Sequence, residues 1–513
     1  MNRKFHSGLF FGLTLLLALL VLQALAAQVM ASPAIPTGGN PLYVPLVMRV
    51  SGGGVTTPPA TPTATATATE PGSEPTVTPT VTATPTEEPT PEAAVADWLP
   101  LGTADAPENI KDPALAVDAE GGMHVVYEPF QSWLFEPQSI YYAYCAGECA
   151  SQEDFTAIAL PAANEDEFAR YGNIALDPQG RPRLMWETLD GFRYAECDGG
   201  CTDPDNWTIT VAPIGRVDDL TYGSNRMFAI DASGRAHLVF NDPIQDGEHH
   251  GTFYLFCDAE CTDTGNWTEV RVSNDSLEFP SLSVTSDGRP RFAFQFTRET
   301  PDGWRTNFGY MACDANCQNT ASWKRVLLPE IASSYGSYSL RLTANGLPRV
   351  VLYSGPTEDY ESELEWEQTY YFSCNSNCAS ASNWDWYNLA GLSGDNFKRV
   401  ALALDSQNRP RFIYPSEVGM DYAWCEANCD TASATWFSLP IDSEAELDQT
   451  DPPLPNDICE TDPHWSLGDD VSLALGPDGN PHMVYDAENI CITDEPAKHT
   501  NLSWSRFATL GQP

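Results

Sequence analysis

The stretch GNIALDPQGRPRLMWETLDGFRYAECDGGCTDPDNWT, residues 172–208, decides the fold. It alternates up to Leu176, turns at Asp-Pro-Gln-Gly, and runs out again through an apolar-aromatic LMW, the pattern of strand, tight turn, strand. A third strand ends in aromatic-x-x-Cys at Cys197. A Cys-x-x-x-Cys turn and a fourth strand opening with Trp207 complete the unit.

The hairpin part of this unit returns along the chain as PALAVDAEGGMHVVYE (113–128), MFAIDASGRAHLVF (227–240), PSLSVTSDGRPRFAF (280–294), YSLRLTANGLPRVVLY (338–353), VALALDSQNRPRFIY (400–414) and VSLALGPDGNPHMVY (471–485). Together with 172–187 these make seven copies, spaced by roughly 53 to 71 residues, a period that marks a repeat architecture. Six copies continue into the third strand, cysteine turn and fourth strand. The pattern predicts an all-β, seven-bladed β-propeller of four-stranded blades over residues 95–513.

Two details predict a closed ring. The position two before the turn is small in six copies, at Ala116, Ala175, Ala229, Ser283, Ala403 and Ala474, as innermost strands crowded round an axis require; the fifth copy has Arg341 there. The seventh copy ends at NLSWSRFATLGQP without an obvious fourth strand, and ADWLPLGT (96–103) resembles the missing one. The N-terminal strand is therefore expected to complete the last blade and remove the free edges of an open sheet.

The turn cysteines pair in sequence as Cys145/Cys149, Cys197/Cys201, Cys257/Cys261, Cys313/Cys317, Cys374/Cys378 and Cys425/Cys429. Metal and redox roles compete with a simple staple. Zinc needs four converging ligands, and radiating blades keep these turns apart with no histidine recurring beside them. A local disulfide across each turn is the favoured reading. Cys459 and Cys491, flanking blade seven, are expected to pair with each other.

YAECDGGC with its following NWT resembles the Asp-box (BNR) turn of sialidase-like propellers, S-x-D-x-G-x-T-W, here with cysteines flanking the Asp-Gly centre. AVDAEGGMHVVYE is similar to the first hairpin of such repeats. The resemblance implies the propeller fold and a structural role for the turn; the box does not by itself imply glycosidase activity. Sialidases hold a substrate carboxylate with three arginines at the inner strands, beside a Tyr/Glu pair and an acid/base Asp. The corresponding candidates here are Arg170, Arg226 and Arg399, each placed just before an inner strand, and Arg341; an arginine fork suits a carboxylate. Neither the spacing of a Tyr/Glu pair nor an Arg-Ile-Pro signature is present. Convergence of the four arginines on one pocket would favour an enzyme, and separate ion pairs would not.

Upstream of the propeller, residues 1–31 carry a basic start, an apolar run from Leu9 to about Ala27 and small residues near Ala26 and Ala31, the order of an export signal. The apolar run is long enough that an uncleaved anchor is the alternative. Residues 32–94 are dominated by Thr, Pro, Ala and Glu, a composition that forbids a core and reads as a disordered spacer. At ~3.1 Å per residue its forty-odd Pro/Thr-rich positions reach up to roughly 120 Å. The chain is expected outside the cell or at its surface, as a monomer.

A formal charge of -45, from 71 acids against 26 bases, excludes nucleic acid as a partner and repels anionic membranes. Only the N-terminal segment is expected to touch a membrane. The basic residue on each second strand, His124, Arg183, His237, Arg291, Arg349, Arg411 and His482, occurs in every blade and so reads as packing or hydrogen bonding. Loops joining strands two and three, and those between blades, carry Trp133, Tyr171, Tyr222, His249, His250, Trp304, Tyr360 and Trp366 and are the natural place for function. No cofactor is required. Ca²⁺ is the one ion in prospect, through acidic loops such as NEDEF (164–168) and EDYESELEWE (358–367). The expected function is binding of a glycan or an extracellular protein without catalysis; the alternatives are a sialidase-like glycoside hydrolase and a structural surface protein.

Overall fold

A computed structural model describes residues 51–52, 97–99 and most of 110–510, with breaks of which the longest are 130–139, 213–223, 355–367, 448–463 and 491–501. Seven four-stranded antiparallel sheets form the blades of a propeller. Blade 2 shows the plan: Arg170–Leu176 pairs with Pro182–Thr188, which pairs with Gly191–Cys197, which pairs with Trp207–Ala212.

The first hairpin forms because one side chain organises its turn. Asp177 Oδ1 accepts from the backbone N–H of Gln179 at 2.9 Å and of Arg181 at 3.0 Å, while Gly180 supplies a φ of 76°. Asp231 and Asp405 repeat this, and Thr285 and Thr343 accept the second bond through a hydroxyl. Where blade 6 lacks the glycine, Asn408 takes φ 62°, which asparagine tolerates.

Seven apolar cores lie between neighbouring blades, one at each seam. The last joins Leu115, Val125 and Tyr127 of blade 1 to Val484 and Phe507 of blade 7, so the ring is closed. Around the axis, inner strands are stitched by short side chains: Ser472 accepts from the N–H of Leu115 at 3.1 Å, Ser281 from Leu340 at 3.0 Å and Ser339 from Leu402 at 3.1 Å.

Blade 7 is completed from the N-terminal side, as expected. Asp97–Leu99 pairs antiparallel with Leu502–Thr509, setting Asp97 opposite Phe507 and Leu99 opposite Ser505. A two-residue strand, Ser51–Gly52, also adds to the outer edge of blade 5 beside Trp384–Asn388.

Six disulfides cross the turns between third and fourth strands, Cys145–Cys149, Cys197–Cys201, Cys257–Cys261, Cys313–Cys317, Cys374–Cys378 and Cys425–Cys429, with Cα–Cα distances of 5.7 to 6.0 Å. In blades 2 to 5 the following Trp donates its indole N–H to the carbonyl of the second cysteine, as Trp207 does to Cys201 at 2.9 Å. Sulfur and indole together fix the outer turn. Cys459 and Cys491 lie outside the described residues.

Candidate functional site

The second-strand basic residues bond near the turn end of their blades, and Arg349 also reaches Asp430 of the next blade at 2.6 Å. Arg183 donates to the carbonyl of Cys197 at 2.9 Å, to Asp177 at 2.7 Å and to Asp198 at 2.8 Å. Arg411 repeats the pattern on Cys425, Asp405 and Glu426, and Arg349 on Cys374 and Asn375. His124 and His237 meet the hydroxyls of Tyr142 and Tyr254 at 2.7 and 2.6 Å. These groups weld the first turn to the cysteine turn.

Function is better sought at the opposite end, where the inner strands begin. The ladder slips between Lys111 and Ala114, Arg170 and Asn173, Glu278 and Ser281, and Leu467 and Val471. Asp112 and Tyr171 take φ 52° there, and Phe279 takes 49°. Bulges of this kind re-aim side chains, and left-handed non-glycine residues concentrate at sites under functional constraint.

Arg226 crosses the channel from blade 3. Its guanidinium donates to the carbonyls of Tyr338 in blade 5 at 2.8 Å and Val471 in blade 7 at 3.3 Å, while its neighbour Asn225 donates to Pro113 in blade 1 at 2.9 Å. Burial, then the charges of Arg399 and Arg341, pull Arg226 down to about 9. Arg341 donates to the carbonyl of Leu340 at 3.0 Å, and enclosure by protein brings it down to about 10. Arg399 pairs with Asp470 at 2.8 Å and lies over the ring of Phe279. Arg170 pairs with buried Glu187 at 3.1 Å and covers the ring of Tyr171. Arg226 therefore feels both Arg399 and Arg341 across the channel, and Arg170 and Arg399 both act on Tyr171.

The residues that sequence reasoning missed are acidic. Asp112, Asp470 and Asp486 bring one carboxylate oxygen each to within 4.8 Å of the others, and all three are buried. Glu128, opposite Lys111 across the first hairpin of blade 1, borders them. Burial and the charge of Asp112 push Glu128 well above the usual carboxylate range, and burial does the same to Asp470 despite Arg399. Asp112 stays low against its burial because Asp470, Lys111 and Glu128 favour its ionised form. Two neighbouring carboxyls are thus shifted in opposite directions, Glu128 up and Asp112 down. The bulge spellings IKDPAL and GDDVSL, which interrupt the alternation before an inner strand, were the available signal.

Of the loop aromatics and histidines expected to carry function, Trp133, Tyr222, His249, Tyr360 and Trp366 lie outside the described residues, as do NEDEF and EDYESELEWE. His250 is half-buried; Trp304 lies on the third strand of blade 4, opposite Glu299.

No family model matches the chain. No curated protein matches it either. Solved structures similar to it include a PL25 ulvan lyase, at 10% identity and TM-score 0.45 over 76% of this chain and 95% of that one. NanB solved with Optactamide follows at 9% identity and TM-score 0.39, covering 79% and 68%. Trypanosoma rangeli sialidase with the inhibitor DANA is at 9% identity and TM-score 0.34, covering 64% and 54%.

Proposed function

We propose that this chain is an exported recognition propeller, carried on a Pro/Thr-rich spacer, that binds a glycan or an extracellular protein at the face where the inner strands begin and does not turn its ligand over. The observation that carries this reading is the commitment of the channel arginines. Arg226 is bonded to two backbone carbonyls, Arg399 is paired with Asp470 and Arg170 with Glu187. A guanidinium already bonded inside the protein takes a substrate carboxylate less readily, because the new partner must replace the bonds it displaces. The excess of 71 acids over 26 bases favours an uncharged or cationic ligand over an acidic sugar. An export signal and six described disulfides fit an extracellular setting. Among the described residues no helix is long and apolar enough to cross a membrane.

A second reading, a glycoside hydrolase, is favoured by one feature, the contrast in proton affinity between Glu128 and Asp112, since an acid and a base side by side is what glycosidic cleavage uses. Their burial weighs against access by a sugar ring. A glycan array and an extracellular-protein binding screen, run beside a panel of fluorogenic glycosides that includes a sialoside, separate the two. Binding without turnover is expected. Hydrolysis abolished by Glu128→Gln, or a sialoside activity abolished by Arg341→Ala, would establish the enzyme instead.

A further inference from the structure

One position of the inner ring breaks the repeat. Arg341 stands opposite Arg349 in the register that sets Ala175 opposite Arg183 and Ala403 opposite Arg411, and the other six blades all carry Ala or Ser at this place. Ala116, Ala175, Ala229, Ser283 and Ala474 are only half-buried although they belong to the innermost strands, so solvent enters the channel at this level. Arg341 itself is half-buried. Side chains here reach the inner edge of the next blade, as the hydroxyl of Ser283 does in donating to the carbonyl of Leu340 at 3.1 Å.

Two cations in this channel lack a counter-charge. Among the described residues Arg341 makes one hydrogen bond, from Nη1 to the carbonyl of Leu340 at 3.0 Å, and pairs with no carboxylate. Arg226 is only 8% exposed; its Nη1 and Nη2 are bonded to the carbonyls of Tyr338 and Val471, and its Nε has no partner among the described residues. Asp470, the acid whose charge reaches Arg226, is itself paired with Arg399 at 2.8 Å. Both guanidiniums keep their protons at neutral pH, since burial brings them down only to about 9 and about 10. An enclosed charge without an opposite partner is strongly destabilising, so an anion belongs against this pair.

The two side chains are also spaced for a single acceptor. Their Nη1 atoms are anchored on the carbonyls of Tyr338 and Leu340, two residues apart on the inner strand of blade 5, Gly336–Leu342. Carbonyls two apart on a strand point the same way and lie ~7 Å from each other. One acceptor with hydrogen bonds of ~3 Å on either side spans guanidiniums held in this way. We propose that Arg226 and Arg341 bind one small inorganic monoanion, a halide, in the axial channel. With both Nη atoms of Arg226 already held by carbonyls, Nε is the donor nitrogen left over, which favours a single-atom acceptor over the paired oxygens of a carboxylate. The ion ties blade 3 to blade 5 across the channel, and by binding only the closed ring it stabilises that ring by mass action.

The test uses the full chain, dialysed free of halide into sodium methanesulfonate, whose anion is too bulky for the site, and titrated with sodium chloride or sodium bromide at constant ionic strength. Binding is read from excess broadening of the ³⁵Cl resonance, and thermal unfolding is followed in parallel. Broadening that bromide competes away is expected, with a melting temperature at least ~2 °C higher in chloride than in methanesulfonate. Arg341→Ala is the deciding variant, and it is expected to fold because five other blades carry alanine at this place. It should lose both the broadening and the chloride-dependent shift. Equal melting of the wild type in chloride and methanesulfonate would overturn the proposal, and so would a chloride response that Arg341→Ala leaves intact. Sodium acetate in the same titration supplies the carboxylate arm; a larger shift with acetate than with chloride would overturn the halide assignment. Neither readout depends on a glycan or protein ligand, so failure here leaves the recognition reading standing.

Discussion

The indole of Trp207 meets the ring of Tyr142 edge-on across the seam between blades 1 and 2, with centroids 4.9 Å apart. The same pair recurs at the next four seams as Tyr194–Trp267, Tyr254–Trp323, Tyr310–Trp384 and Tyr371–Trp436, at 5.0 to 5.3 Å. Each Trp stands first or second in the fourth strand of one blade and each Tyr lies on the third strand of the blade before it. This edge-to-face arrangement is one that aromatic quadrupoles favour. The cysteine turn is thereby tied to ring closure, since the turn aims the Trp.

Trp323→Ala should be among the most damaging single substitutions in the ring. Trp323 is buried against Tyr254 and Phe292, and its N–H reaches the carbonyl of Cys317 at 3.0 Å. Truncation removes both contacts and leaves a cavity, a loss of ~3–5 kcal/mol. Urea unfolding followed by circular dichroism checks it; a loss below ~1 kcal/mol, the ordinary effect of a point substitution, would show that the seam pair is not structural.

Removing the sulfur should matter less than removing the indole. Replacing Cys374 and Cys378 together by alanine opens a loop of five residues, worth at most ~2 kcal/mol by loop entropy. The turn keeps its other ties, Trp384 to the carbonyl of Cys378 at 3.0 Å and Arg349 to that of Cys374 at 3.2 Å. The double variant is therefore expected to fold, with a lower urea midpoint than wild type but a higher one than Trp384→Ala.

Mild acid should destabilise the protein through His124. Burial lowers its proton affinity below the ordinary 6.5, in spite of Asp118 at 3.3 Å. Because the folded value is depressed, the unfolded chain binds more protons once pH drops through 6.5. Stability is therefore complete above that value and falls with pH until the folded histidine also titrates. Buried carboxyls such as Glu278, Asp421 and Asp442, raised by desolvation, act in the opposite direction at lower pH. The contrast between wild type and His124→Gln isolates the histidine: the variant should lose less stability between pH 7 and pH 5.5. An equal loss in both would remove His124 from the account.

The blades were legible because local chemistry repeats. Asp177, Gly180, Arg183, Cys197 and Trp207 each do one job within about forty residues, and the sequence repeats them where the structure repeats the job. Reading the second-strand basic residues as internal partners followed from that same regularity, and Arg183 and Arg411 are indeed held by turn carbonyls and acids. The carboxylate cluster obeys no repeat. Asp112 and Asp470 become neighbours only when the ring closes, and bulges, not alternation, aim them. Arg226 was singled out as a ligand residue from its position, yet its partners Tyr338 and Val471 stand two and four blades further along the chain, a relationship no spacing encodes.

Closure by the N-terminal strand makes the last prediction. Leu502–Thr509 has one neighbour in Pro481–Ile490, and among the described residues its other edge is covered by Asp97–Leu99 alone. A chain beginning after residue 104 would leave that edge open. Unpaired N–H and C=O groups on an exposed strand recruit other strands, so the truncated protein should melt earlier and associate through blade 7. Light scattering on a concentration series measures the association. A synthetic peptide spanning residues 95–104, added in excess, should restore both melting temperature and monomer by taking the vacant place. A truncated chain that stays monomeric and melts like the full one would mean that Phe155, edge-on to Phe507 at 5.8 Å, and the core it joins between blades 1 and 7 hold the ring shut without the strand.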